Sequence, residues 1–202
     1  GVIGLNDLLL RTDLDDHQRQ LAEAMQGAGR ALLVLINDIL DFSKIEAGGL
    51  ELEAVAFQPA VVVEGTLELF TPVALAKGIT LDVELDDDVP ERLEGDPGRF
   101  GQVLSNLVAN AVKFTHEGGV HVHVSATTAD RATTLQVLVR DTGIGMDAEQ
   151  QGRIFQPFRQ ADASTTRNFG GTGLGLAIAH RLATALGGEI GVDSTLGEGS
   201  TF

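Results

Sequence analysis

The stretch Asn106-Leu107-Val108-Ala109-Asn110-Ala111-Val112-Lys113 sits inside a longer run that reads as a helix. Asp96 can cap its start, and Pro97 suits the first helical position, where no backbone N–H is needed. Val103, Leu104, Leu107, Val108, Ala111 and Phe114 form one apolar stripe at helical spacing. Asn106, Asn110 and Lys113 fall at i, i+4 and i+7 and share the other face. Amide oxygens are hard ligands suited to a Mg²⁺ that already carries phosphate oxygens, and a lysine can neutralise phosphate charge. A surface helix with two solvated asparagines shows the same pattern, so the rest of the chain must decide.

Downstream, Val120, Val122, Val124 and Ala126 alternate as a strand, with His121 and His123 on its outer face. Two exposed strand histidines are more often inert than paired on a metal. Leu135, Val137 and Val139 alternate in a second strand that delivers Asp141 to its end. A short helix is predicted from about 148 to 154, a loop without periodicity from 157 to 169, a helix from 174 to 186, and a strand at Ile190 and Val192. Upstream, Leu50 to Phe57 suggests a short strand, 59–77 a single helix ended by Gly78, and Ile79 to Leu85 a strand with one wet face. The run Asp86-Asp87-Asp88 reads as a solvated turn rather than a metal site. This order is not a regular βαβ alternation and predicts an α+β sandwich, a mixed sheet with helices on one face.

Residues 1–50 differ in kind. Ile3, Leu5, Leu8 and Leu9 mark a first helix, and Thr12 to Asp16 a polar connector. Leu21, Met25, Ala28, Leu32, Leu35, Ile39 and Phe42 alternate spacings of four and three, a heptad seam that Leu33, Ile36 and Leu40 widen. Gly48-Gly49 should stop this helix. So broad an apolar face predicts a homodimer through residues 1–49, packed as a four-helix bundle, although the hairpin could instead pack on its own globular domain.

The formal charge of -15 argues against unaided binding to nucleic acid or anionic lipid. There is no cysteine, hence no disulfide and no Cys-based zinc site. No apolar run approaches the length of a membrane span, and no signal peptide is recognisable. The chain opens at Gly1 within a periodic pattern and closes at Phe202 as a strand begins, which reads as a piece of a longer cytoplasmic protein, attached to a membrane only through other parts.

Two glycine-rich segments carry further chemistry. Asp141-Thr142-Gly143-Ile144-Gly145-Met146 ends a strand in a turn, where an ionised Asp could accept the exocyclic amine of adenine and the glycines let a base approach. A plain Asp-Thr-Gly turn looks the same. Gly170 to Leu176 opens a helix with four glycines, whose backbone N–H groups could face an anion or serve as a hinge. Neither the dinucleotide fingerprint nor a P-loop is present.

Taken in order, these segments resemble the ATP-binding domain of sensor histidine kinases, most closely those of hybrid type. The asparagine box is Asn106-x-x-x-Asn110-x-x-Lys113, and the first glycine box Asp141-x-Gly143-x-Gly145. Phe155-Gln156-Pro157-Phe158 is the phenylalanine box, and Gly171-Thr172-Gly173-Leu174-Gly175-Leu176 the second glycine box. Asp38 to Gly48 looks like the stretch joining dimerisation helix to catalytic domain. The resemblance implies a helical hairpin over 1–49, then a Bergerat-type α/β sandwich ATPase domain over 50–202. It implies ATP and Mg²⁺ as cofactors, the metal on Asn106 and Asn110, and Asn106 and Lys113 as catalytic residues. Asp141 would read adenine, with Gly143, Gly145, Met146, Gly171, Thr172, Gly173, Leu174 and Gly175 around the nucleotide. A lid would run from about Met146 to Gly173, anchored by Phe155 and Phe158, with Arg159 or Gln160 reaching the phosphates. The implied reaction passes the γ-phosphoryl of ATP to a histidine, then to an aspartate of a response-regulator or receiver domain.

One departure matters. The family's phosphorylated histidine lies in a His-Glu/Asp-x-x-Thr-Pro segment, and none of His17, His116, His121, His123 and His180 has that context. The chain is therefore expected to bind ATP without labelling itself. A gyrase- or chaperone-like ATPase is the rival reading. Those relatives place a Glu where Asn106 stands, and an amide cannot take a proton from water. A nucleotide-binding scaffold without catalysis is the third.

Overall fold

The computed structural model describes residues 1–46, 49–129, 132–158 and 173–202. It divides into two compact units, Gly1–Gly48 and Gly49–Phe202.

The first unit is a helical hairpin of α1 (Val2–Leu9) and α2 (Asp16–Glu46). Asp15 and Gln18 cap α2 reciprocally: Gln18 N donates to Asp15 Oδ1 at 2.8 Å and Asp15 N to Gln18 Oε1 at 3.1 Å. The two helices meet closely where Ile3 packs on Gly29, with no room for a side chain at 29. Asn6 Nδ2 donates to the Ala22 carbonyl at 2.8 Å. Beyond this contact α2 keeps its seam in solvent: Leu21, Met25, Leu32, Leu33, Ile36, Ile39 and Leu40 are all exposed. The expected helix stop at Gly48 lies outside the described residues.

The second unit is built on a mixed five-stranded sheet ordered β2 (Thr80–Leu85), β4 (Gly119–Ala129), β5 (Ala132–Asp141), β7 (Gly199–Thr201), β6 (Asp193–Thr195). Only β2 and β4 run parallel. A separate two-stranded ladder joins β1 (Val55–Phe57) to β3 (Leu93–Gly95). The helices are α3 (Pro59–Glu68), α4 (Thr71–Lys77), α5 (Pro97–Phe114), α6 (Ala148–Gln151) and α7 (Gly175–Ala185). Helix α5 packs on β4 and β5 and touches both α3 and α7. Val120, Val122, Val124 and Ala126 turn inward along β4, and with Val63, Leu104, Val108 and Val139 they fill the core. Each valine or leucine among them, fully buried, contributes about 1.5–3 kcal/mol.

Four sequence expectations need correction. Residues 59–77 form two helices, bent by 42°, rather than one. Pro72 cannot donate to the carbonyl of Glu68 and its ring would strike it, so the ladder breaks ahead of it. Leu50 and Leu52 lie outside the first strand, whose pairing starts at Val55. The helix predicted to reach 154 closes at Gln151. The strand expected at Ile190 and Val192 is displaced to Asp193–Thr195, because the turn at 196–198 sets the register Asp193↔Thr201. Ile190 still packs on the core.

Among the described residues no single helix is long and apolar enough to cross a membrane. The bent α3–α4 pair passes on length and composition together, yet it buries Val63, Leu67 and Ala74 in the core.

Candidate functional site

Helix α5 forms the floor of the candidate site. Asp96 caps it by accepting from Arg99 N at 2.9 Å and also accepts from Glu53 N at 3.1 Å. Leu104, Leu107, Val108, Ala111 and Val112 are buried beneath, while Asn106, Asn110 and Lys113 are half-buried on the opposite side. From Asn106 to Lys113 the helix rises roughly 10 Å, a length that suits an extended triphosphate. Asn110 Nδ2 donates to the Asn106 carbonyl at 2.8 Å. That bond occupies the amide nitrogen; the amide oxygen is the atom a hard cation would take. The Lys113 ammonium sits 4.7 Å from the centre of the Phe114 ring. Burial holds its pKa below the ordinary lysine value.

At the far end of this face lies the Asp141 turn. Asp141 closes β5, between Val120 of β4 and Ser200 of β7. It is buried, and its Oδ1 accepts from Gly143 N at 2.8 Å. Burial raises its pKa above the usual carboxylate value, and the N–H groups of Gly143 and Ser200 oppose that rise. Gly143 abuts α5: a Cβ there would stand 2.6 Å from the Phe114 carbonyl. Gly145 has φ +61°, and a Cβ there would run into the Thr195 carbonyl. Met146 is buried, its N–H donating to Ser194 Oγ at 2.8 Å.

The third wall is the start of α7. A Cβ on Gly175, its first residue, would stand 3.1 Å from Asn106 Oδ1. The asparagine box and the second glycine box thus touch. Leu174 is buried just ahead of α7, and the Gly173 carbonyl accepts from Phe158 N at 3.1 Å. Phe155 packs between His180 of α7, ring centres 5.1 Å apart, and Phe202 at 6.4 Å. Phe158 is 68% exposed, unlike an anchor sunk in a core. Gly171, Thr172, Arg159, Gln160 and half of the expected lid lie outside the described residues.

Residues the sequence reading passed over complete the Asp141 turn. Ser194 Oγ donates to the Gly199 carbonyl at 2.8 Å and lies 2.9 Å from Ser200 Oγ. Gln151 Nε2 bridges the carbonyls of Met146 and Ser194 at 3.1 and 2.8 Å. Thr142 Oγ1 donates to the Glu117 carbonyl at 2.9 Å and accepts from Gly119 N at 3.0 Å. No local signal marks these residues, because each bonds a segment distant in sequence. A cavity of about 340 Å³ at the opposite end of α5 is lined by Glu51, Glu53, Asp96, Gly98 and Arg99, an acidic wall unsuited to phosphate.

Known proteins resemble the chain along its whole length. Residues 95–202, more than half of the chain, match the family described as histidine kinase-, DNA gyrase B- and HSP90-like ATPase. Residues 1–48 match the His Kinase A (phospho-acceptor) domain. The chain is 42% identical over 203 residues to the signal transduction histidine-protein kinase BarA of Escherichia coli strain K12, covering all of this chain and 22% of that protein. It is 44% identical over 204 residues to the sensor protein GacS of Pseudomonas syringae pv. syringae, again with full and 22% coverage. The crystal structure of full-length ShkA in complex with AMPPNP superposes with a TM-score of 0.82 at 37% identity, over all of this chain and 41% of that one. The chain thus spans about a fifth of the length of these curated relatives. With a His Kinase A domain ahead of an ATPase domain, and relatives that are histidine kinases over its whole length, the chain belongs to the histidine kinase-, DNA gyrase B- and HSP90-like ATPase family, in its two-component histidine-kinase branch.

Proposed function

We propose that residues 50–202 bind ATP with Mg²⁺ and transfer its γ-phosphoryl group to a histidine on a dimerisation helix, for onward passage to an aspartate of a response-regulator or receiver domain. The observation that carries this reading is the meeting of Asn106 with Gly175, at a helix N-terminus whose N–H groups and dipole favour an anion. Asn106 and Asn110 would hold Mg²⁺ through their amide oxygens, and the metal would supply charge neutralisation between the phosphate groups. Lys113 places a positive charge on the same face. Asp141, held by Gly143 and Ser200, accepts the exocyclic amine of adenine. Gly173 to Gly175 face the phosphates at the start of α7, with Phe155 held between His180 and Phe202 and the Phe158 N–H on the Gly173 carbonyl. Catalysis is positioning and charge neutralisation rather than proton abstraction, as Asn106 has no basic atom.

Residues 1–49 pair with a second copy. The exposed seam of α2 supports this, since a lone hairpin leaves Leu32, Leu33, Ile36 and Leu40 in water. Net charge disfavours nucleic acid as a partner.

The test mixes this chain and γ-labelled ATP with a separate helical hairpin that carries a histidine in its His-Glu/Asp-x-x-Thr-Pro setting. The expected result is label on that hairpin, stable to base and lost in acid. Steady release of phosphate with no labelled hairpin would favour a gyrase- or chaperone-like ATPase instead.

A further inference from the structure

The last four carbonyls of α5 have no partner within the helix. Three of these carbonyls belong to Ala111, Val112 and Lys113, at the end of the face that carries the candidate site. Thr115 satisfies the first, its N–H at 3.0 Å and its Oγ1 at 2.7 Å from the Ala111 carbonyl. The next two converge on a side chain from another element. Lys77, the last residue of α4, donates from Nζ to the Val112 carbonyl at 2.7 Å and the Lys113 carbonyl at 2.8 Å, and reaches the Thr115 carbonyl at 3.3 Å. An ammonium has three N–H donors, and all three are used here. A cation at a helix C-terminus also meets the negative end of the helix dipole. Gly78, left-handed at φ +72°, ends α4 just after Lys77.

We infer that Lys77 is a positioning residue for nucleotide binding, fixing the backbone of Lys113 so that its ammonium meets the phosphate groups. The inference rests on the proposed role of Lys113. Lys77 itself commits its three donors to backbone oxygens. Lys113 has a long flexible stem, and its ammonium is already partly desolvated against Phe114. The ring contact restrains that stem, so the position of the ammonium follows its own peptide group, whose carbonyl Lys77 holds.

The test measures Mg·ATP and adenosine affinity of the full chain by calorimetry, for Lys77→Met, Lys77→Arg, Lys113→Met and the Lys77→Met/Lys113→Met double variant. Lys113→Met should weaken ATP about tenfold, the worth of one charge-assisted contact. Lys77→Met should weaken ATP about three- to tenfold and leave adenosine within about twofold, a split that general loosening of the domain would not produce. Lys77→Arg, which keeps a cation with several donors, should recover most of the ATP affinity. In the Lys113→Met background Lys77→Met should add less than about twofold, because coupled residues are not additive. Equal loss of ATP and adenosine, additive losses in the double variant, or unchanged ATP affinity in Lys77→Met would each overturn the inference. If Lys77→Met does not fold, Lys77→Gln, which removes the charge and one of the three donors, takes its place. ATP weakened with adenosine unchanged then supports the inference, and equal loss of both or no loss of ATP overturns it. Should Lys113→Met bind ATP as well as the native chain, the proposed site itself is wrong, a result distinct from failure at Lys77 alone.

Discussion

Gly175→Ala pits stability against binding at one atom. Gly175 is the first residue of α7, and its φ lies outside the left-handed region, so alanine can adopt its backbone. Replacing glycine by alanine in such a setting stabilises by about 0.4–1 kcal/mol, and an end position belongs near about 0.5 kcal/mol. For a domain of this size that raises the melting temperature by about 1–2 °C. The new Cβ would stand 3.1 Å from Asn106 Oδ1 and 3.6 Å from its Cγ. The amide must withdraw by about 0.3 Å to reach an ordinary contact. If a full 1 Å misplacement costs about a hundredfold, this share is about 0.8 kcal/mol, or three- to fivefold in affinity. Differential scanning fluorimetry without nucleotide gives the first quantity and titration with Mg·ATP the second. A gain in melting temperature with undiminished affinity would show that Asn106 is not a ligand. A fall in melting temperature would show that α7 itself is disturbed. In an Asn106→Ala background, Gly175→Ala should cause no additional loss.

Asp141→Asn should leave the nucleotide-free fold intact, since an amide oxygen can still accept from Gly143 N, while ATP affinity measured by calorimetry falls at least about tenfold. The pH profile follows from the two shifted groups. Asp141 has a folded pKa above its unfolded value, so it protonates earlier on acidification and ATP affinity should fall at a higher pH than for an ordinary aspartate. In nucleotide-free protein its sign is opposite: the native state binds the proton more readily, so stability from this group declines as pH rises from the unfolded value through the folded one, a trend absent in Asp141→Asn. Lys113, lowered by burial, loses its charge early on the alkaline side, so ATP affinity should fall below the ordinary lysine pKa, and Lys113→Met should abolish that limb. Gly145→Ala combines a left-handed backbone with a collision against the Thr195 carbonyl and should destabilise by about 2–4 kcal/mol in urea denaturation. Leu32→Asp with Ile36→Asp in the α2 seam should yield monomers in sedimentation velocity where the native chain sediments as a dimer.

Much of this protein is legible in local pattern. The helix from Pro97 to Phe114 has its cap, its first-turn proline and its apolar stripe within one short window, and all three agree. The strands ending at Ala129 and Asp141 declare themselves through strict alternation, because a half-buried strand has period two. The hairpin helices likewise follow from the capping residues of the connector, Thr12 to Asp16, and a heptad seam. Helix α5 carries Asn106, Asn110 and Lys113 on one face for the same reason: a helix fixes which residues are neighbours without help from the rest of the chain.

Other features rest on contacts between segments that no window contains. The break at Pro72 looked like a helix interior because the apolar period continues across it, while the lost hydrogen bond and the ring clash act through the backbone. The last hairpin begins at Asp193 rather than Ile190 because a turn three residues long, not side-chain alternation, sets its register. Ser194 and Ser200 reach the Asp141 turn only through the pairing of β6, β7 and β5. The approach of Gly175 to Asn106 and the grip of Lys77 on the end of α5 join residues far apart in the chain. Local periodicity determines which side chains share a face, since backbone geometry repeats over a few residues. Which faces meet depends on how the whole core packs, and only the folded chain decides that.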